Sequence, residues 1–278
     1  MLSRLAESEP DGLDGGAAER LSVAHIVRLW WPLAASWLLM GADLPLFTAV
    51  VARMSDAKVN LAAYGAVVFP IALAIEAPII MLLAASTALC VDWASYLKVR
   101  RFMLAAGAAL TVVHLTVALT PLFDVIALRW IGAPAAVLEP ARLGFLLMTP
   151  WTWSIAYRRF QQGVLIRCGR SRAIGVGTLV RLLANAVVLA AGFAHGGFSG
   201  IAVGASAVSA GVLAEAAFIG WCVQPVLRER LRDAPSGAPP LTRSVFLRFY
   251  APLALTPLVT LLAQPIGAAA MSRMPRAF

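Results

Sequence analysis

The chain has 278 residues, of which 60% are hydrophobic and 13% charged, with a net charge of +9. Soluble domains carry roughly 25% charged residues, so this composition excludes an ordinary soluble protein and marks an integral membrane protein, with the lipid bilayer as its first partner. The positive excess implies no nucleic-acid partner, because the basic residues stand in short segments between apolar runs, where they orient helices against a membrane.

The opening stretch, MLSRLAESEPDGLDGGAAERLSVAH, holds five acids and no apolar core. It is neither a secretory signal nor a transit peptide, and residues 1–27 are read as a cytoplasmic N-terminal tail. Seven long apolar runs follow, at about 29–52, 61–90, 102–123, 143–166, 174–194, 198–224 and 246–271. Each is close to the roughly 20 residues that a spanning helix needs. The expected fold is therefore all-α and polytopic, with about seven transmembrane helices. The short HGGFSG separates the fifth and sixth runs, and the polar RERLRDAPSGAPPLTR separates the sixth from the seventh. On this basis 28–225 is a six-helix N-lobe, 226–244 a cytoplasmic linker and 245–278 the first helix of a C-lobe.

The seventh run repeats the first. At a constant offset of 220, Arg28 matches Arg248, Pro32 matches Pro252, Pro45 matches Pro265, Arg53 matches Arg273 and Met54 matches Met274. Six spans separate the copies, an even number, so both run the same way across the membrane as parallel repeats related by an axis along its normal. The second repeat is expected to be truncated after its first helix, which leaves transport to a missing C-terminal half or a second copy.

Charge sets the expected orientation. With the N-terminus inside, the cytoplasmic segments hold Arg4, Arg20, Arg28, Lys98, Arg100, Arg101, Arg167, Arg170, Arg172, Arg228, Arg230, Arg232, Arg243 and Arg248, against Arg53, Lys58, Arg129, Arg142, Arg273 and Arg276 outside. The excess inside predicts a multi-pass inner (plasma) membrane protein with a cytoplasmic N-terminus. Cys90, Cys168 and Cys222 then lie at cytoplasmic ends and are read as free packing thiols.

Ionisable residues inside apolar runs cost several kcal/mol at the bilayer centre and tend to mark ion or substrate paths. Asp43 lies past the middle of the first run, two residues before Pro45, which removes a backbone hydrogen bond and opens the helix locally. It is either a coupling residue or an aspartate neutralised by a neighbouring arginine. Glu76 sits between Pro70 and Pro78, which kink a helix toward a cavity, and it either lines the same cavity or pairs with an arginine. Arg158 and Arg159 in the fourth run and Arg181 in the fifth either snorkel or pair with Glu76 and Glu215, or form a basic vestibule for an anionic solute. Glu215 belongs to a face of Gly200, Gly204, Ala207, Gly211 and Ala214 and is read as part of a helix-packing surface. Trp151 and Trp153 lie deeper than the interfacial Trp30, Trp31, Trp93, Trp130 and Trp221; they either pack or stack on a solute. His114 reads as a hydrogen-bonded packing residue or a proton relay.

Two other classes are weighed. GFSG, Gly197 to Gly200, has the look of an intramembrane serine protease with His114 or His195 as base, yet Ser199 sits at the mouth of a short external turn. No P-loop, zinc-helix or dinucleotide pattern occurs, so no cofactor or metal is expected beyond a coupling proton or sodium ion. The loop VDWASYLKVRRF lacks the glycine-rich pattern of the major facilitator group.

The stretch YRRFQQGVLIRCGRSR, followed by a fifth helix, the glycine-rich HGGFSG and a small-residue sixth helix, resembles the multidrug and toxic compound extrusion (MATE) family and its wider MOP superfamily. LRWIGAPAAVLEPARLGFLL is similar to that family's third loop and fourth-helix entry, and LAAYGAVVFPIAL to its progressive ankylosis branch. The resemblance implies a secondary transporter that exports a small-molecule solute against an inward proton or sodium flow. It also implies that Asp43 binds the coupling ion and, through the ankylosis branch, allows Arg158, Arg159 and Arg181 at the substrate cavity; the reading of the residues adds Glu76 as a second coupling residue and Pro45 and Trp151 at the cavity. The alternative within the superfamily is a lipid-linked oligosaccharide flippase or an ankylosis-like anion or phosphate exporter.

Overall fold

The computed structural model describes residues 23–232, 234 and 240–272. Most of the expected tail, part of the linker, and Arg273 and Met274 of the repeat lie outside the described residues. Every described element is helical, and the helices break where sequence chemistry interrupts them. The first run divides into α1, Val23–Gly41, and α2, Asp43–Val51. Pro45 has no N–H for the Gly41 carbonyl, so regular bonding cannot cross this point, and Ala42 makes a turn before Asp43 opens α2.

The second run is α3, Ala57–Ala62, a stretch of wide π-type turns at Ala63–Val68, α4, Phe69–Ile80, and α5, Leu82–Leu89. Next comes α6, Trp93–Leu119, which begins well before the predicted 102. Asp92 explains the early start: its carboxylate accepts from the Ser95 N–H at 2.7 Å, while its own N–H donates to the Ser95 hydroxyl at 3.1 Å. Two orphan donors of the first turn are thereby satisfied, and the helix carries its basic residues out to the membrane edge.

A short α7, Leu122–Asp124, runs into π-type turns at Val125–Ile131. The fourth run is split at Met148, just ahead of Pro150, into α8, Ala135–Leu147, and α9, Thr149–Arg167. Then follow α10, Arg172–His195, α11, Gly200–Val226, and α12, Arg243–Ser272. π-type turns at Leu227–Leu231 prolong α11, so helical structure reaches into the predicted linker, with Leu227 and Leu231 buried.

Among the described residues five helical segments are long and apolar enough to cross a membrane: Ala34–Val51, Ala57–Leu89, Trp93–Leu119, Arg172–His195 and Gly200–Leu231. The broken α8–α9 pair and α12 supply the two other predicted runs as helix. α9 falls short of the five because Arg158, Arg159, Gln161 and Gln162 lower its apolarity. These polar residues are tolerated because α9 is central, packed against α4, α5, α6 and α11 rather than lipid.

Glycines permit the closest approaches. A Cβ at Gly163 would stand 2.2 Å from the Leu83 carbonyl, and one at Gly204 would stand 2.2 Å from the Phe47 ring. The small-residue stripe of α11 is thus a packing surface that receives α2 and α10.

The basic end of the bundle holds the start of α6, the ends of α5 and α9 and the start of α10; His195 and Gly200 lie at the other end. α12 starts at the basic end, where Lys98 donates to the Leu241 carbonyl at 2.8 Å, and runs along α4 to the Val125–Ile131 turns at the opposite end. The α1–α2 pair also runs toward that opposite end, where Val51 packs at Gly200. The two elements therefore share one direction.

Candidate functional site

Inside the bundle lies a cavity of about 240 Å3 with walls from seven elements. Met40 and Asp43 enter from the α1–α2 break, Glu76 from α4, Trp151, Arg158 and Arg159 from α9, and Arg181 from α10, with Tyr64 and Val208 completing the wall. An aromatic path of Phe47, Tyr64, Phe69 and Trp151 runs along one side, with successive ring centroids 4.1, 5.6 and 6.4 Å apart. The π-type turns and the Ala42 break are what aim Tyr64 and Asp43 inward. Asp43 and Glu76 thus line one cavity, together with Trp151 and all three intramembrane arginines. Pro45 stands apart: it is exposed on α2 and does not line the cavity.

The charges are paired in a chain. Arg181 forms an ion pair with Asp43, and its other nitrogen lies 3.8 Å from the Glu215 carboxylate. Arg158 Nη1 lies 2.5 Å from Glu215 Oε2, and Gln162 donates to Oε1 at 3.1 Å. Asn185, one turn beyond Arg181 on α10, donates to Asp43 at 3.2 Å. Asp43 thus both faces the cavity and has the neighbouring arginine that its second reading expected. Glu76 is held differently, accepting from the Trp151 indole N–H with no cation in contact among the described residues. Trp151 is therefore the orienting partner of an acid as well as a packed ring.

Arg159 lines this cavity and an adjoining one of about 40 Å3, which reaches Ser36 and Thr178. Among the described residues it makes no ion pair. Three acids, Asp43, Glu76 and Glu215, meet three arginines, so the fully ionised cluster is neutral. Neutrality offsets part of the large cost of burying six charges.

Glu215 is more than part of a packing face. Fully buried, it joins Arg158 and Arg181, the pairing that stood as one alternative for those arginines, while sequence reasoning missed Gln162 and Asn185. The spacing of Arg181 and Asn185, four apart on one helix face, was the available signal. Trp153 is 38% exposed and lies against the Gly107 position, so it faces outward instead of lying deep. His114 fits its packing reading: its Nε2 donates to the Phe145 carbonyl at 2.8 Å, and its Nδ1 lies 3.3 Å from the Thr152 hydroxyl. Cys90, Cys168 and Cys222 are free thiols. No cluster of His, Cys, Asp or Glu suited to a metal occurs among the described residues.

Solved structures share this architecture. An outward-facing multidrug resistance MATE transporter of the MOP superfamily is 17% identical, with a TM-score of 0.63 over 89% of this chain and 58% of that one. A MOP superfamily transporter from Pyrococcus furiosus is 17% identical with a TM-score of 0.62, over 89% of this chain and 62% of that one. A MATE protein in complex with MaD3S is 18% identical with a TM-score of 0.63, over 89% and 63%. The chain has the fold of MATE and MOP-superfamily transporters. No family model and no curated protein matches. The chain spans about three-fifths of the length of these transporters. Ser199 is exposed and caps α11 by accepting from the Ala202 N–H, while His195 stacks on Phe198.

Proposed function

We propose that this chain is a secondary transporter of the MATE type that exports a small solute by alternating access, driven by an inward proton or sodium ion. The observation behind this reading is one cavity inside the lobe lined by Asp43, Glu76, Arg158, Arg159 and Arg181, drawn from four helices. Intramembrane ionisable groups gathered on a cavity are the chemistry of ion-coupled transport. Asp43 and Glu76 take the coupling ion. Binding at Asp43 competes with Arg181, loosens the contact between α2 and α10, moves α2 about the Ala42 break and narrows the space left to the solute. Residues 28–225 act as the N-lobe and α12 opens a parallel C-lobe. The lobe rocks against a second one supplied by further sequence or by a second copy. The protein sits in the inner (plasma) membrane with its N-terminus in the cytoplasm.

The test is solute export by the full-length protein in proteoliposomes under an imposed pH or sodium gradient, with Glu76→Gln alongside. Loss of gradient-driven export with normal insertion supports the reading. Export by Glu76→Gln at the wild-type rate removes that residue from coupling.

A second reading, an anion or phosphate exporter or a flippase for a phosphate-bearing lipid-linked solute, draws on Arg159, which meets the cavity without an ion pair among the described residues. Arg159→Gln separates the two: it abolishes export of an anionic solute and leaves export of a cationic one intact.

A further inference from the structure

A second concavity, of about 640 Å3, lies at the basic end between the start of α6 and the start of α12, away from the interior site. Lys98 and Arg101, one turn apart on α6, and Arg243, the first residue of α12, line it, and all three are exposed. Lys98 is fixed in place by its bond to the Leu241 carbonyl, 2.8 Å long. Arg101 and Arg243 have no acidic partner among the described residues. Asp92 lies in the adjoining groove beyond Lys98, where it is engaged as the α6 cap.

The groove changes character with depth. One turn further along each helix, toward the middle of the span, its walls become Phe102 and Ala105 on α6 and Phe246 and Leu247 on α12. The outer part thus suits an anion and the inner part a hydrocarbon. A free phosphate would satisfy only the outer part, whereas an anionic phospholipid matches both, with its phosphate among the cations and an acyl chain along the rings.

We propose that the groove between α6 and α12 is a binding site for an anionic phospholipid, whose headgroup bridges Lys98, Arg101 and Arg243. Bound there, the lipid relieves the repulsion of three like charges and fastens α12 to the lobe at its entry point. Phe246 and Tyr250 hold α12 against Phe102 one and two turns deeper, with ring centroids 4.7 and 4.9 Å from that ring.

The experiment is native mass spectrometry and thermal unfolding of the purified chain with added dioleoyl phosphatidylglycerol, dioleoyl phosphatidylcholine or inorganic phosphate. Phosphatidylglycerol is expected to remain bound and raise the unfolding temperature, with phosphatidylcholine and phosphate doing neither. Arg101→Gln with Arg243→Gln should weaken phosphatidylglycerol retention about tenfold or more, since each basic residue near an anionic surface contributes on the order of tenfold or somewhat less. Arg228→Gln with Arg230→Gln removes the same charge at the same end, outside the groove, and should leave retention unchanged. Ala105→Glu, at an exposed position, sets a carboxylate on the acyl path and should also abolish retention, which gives a second test if the arginine pair variant folds poorly. Equal loss in both arginine pairs, binding of phosphate as strong as that of the lipid, or retention in Ala105→Glu would overturn the proposal.

Discussion

Arg158 of α9 and Glu215 of α11 lie 2.5 Å apart with their side chains 2% and 0% exposed, and Arg181 of α10 approaches the same carboxylate to 3.8 Å. One acid therefore ties together three helices that are separate in sequence. A buried pair gains little over an apolar substitute, but losing one partner leaves an uncompensated charge.

Glu215→Leu is accordingly expected to destabilise the protein by about 3–5 kcal/mol, and the double variant with Arg158→Leu by distinctly less than the sum of the two single changes. Thermal unfolding in mild detergent, followed by tryptophan fluorescence, gives the cycle. A single variant as stable as the wild type would show that the pair does not hold the helices.

Asp43→Asn keeps the size of the side chain and its bond to Asn185 while removing the charge that holds Arg181. Membrane expression should stay near wild type, because Arg181 retains Glu215, while ion-driven export is lost. Export across a pH or sodium gradient by the full-length protein, measured beside expression, separates the outcomes. Loss of the folded protein would make the pair with Arg181 chiefly structural, and unchanged export would remove Asp43 from coupling.

Gly163→Ala drives a methyl group into the Leu83 carbonyl and the Ser86 hydroxyl, and α5 must move away from α9. Overpacking of this kind costs about 1–3 kcal/mol. Gly65→Ala, with nothing near the added carbon, is the control and should be close to neutral. Equal melting temperatures for the two variants would contradict the tight contact.

Asp92 lies outside the spans, and its bonds from the Ser95 hydroxyl and N–H hold its carboxyl below the usual carboxylate range. The ionised form is the one favoured by folding, so its contribution is present above the unfolded pKa and disappears as pH falls through the lowered folded value. Asp92→Ala should cost about 0.5–2 kcal/mol at neutral pH, the value of an N-cap. The gap to wild type should close as the solution is acidified below about pH 4, the range of an unperturbed aspartate. A difference independent of pH would exclude the charged cap as its source.

The class of this protein was decided by composition. A chain with so few charges and seven apolar runs near 20 residues, about twice the length of a barrel strand, satisfies its backbone polar groups in lipid as helices. Local chemistry also foretold one break, the Pro45 turn between α1 and α2; the Asp92–Ser95 cap that starts α6 was not read, and the apolar pattern alone placed that start too late. The separate candidacies of Asp43, Glu76, Arg158, Arg159 and Arg181 were legible because an ionisable residue in an apolar run is costly wherever it points.

Which of these residues meet, and how they pair, was settled only by tertiary structure. Asp43 and Arg181 are joined across α2 and α10, and Glu76 meets the indole of Trp151 across α4 and α9. Glu215 looked like a minor member of a small-residue stripe, yet those small residues let α2 and α10 approach α11, and α9 brings Arg158 and Gln162 to its carboxylate. Periodicity tells which face of a helix is apolar, but it does not tell which helix lies opposite or how far away. Partner choice depends on distances between helices far apart in the chain, and those are fixed when glycine contacts, proline breaks and π-type turns set each helix's rotation against its neighbours.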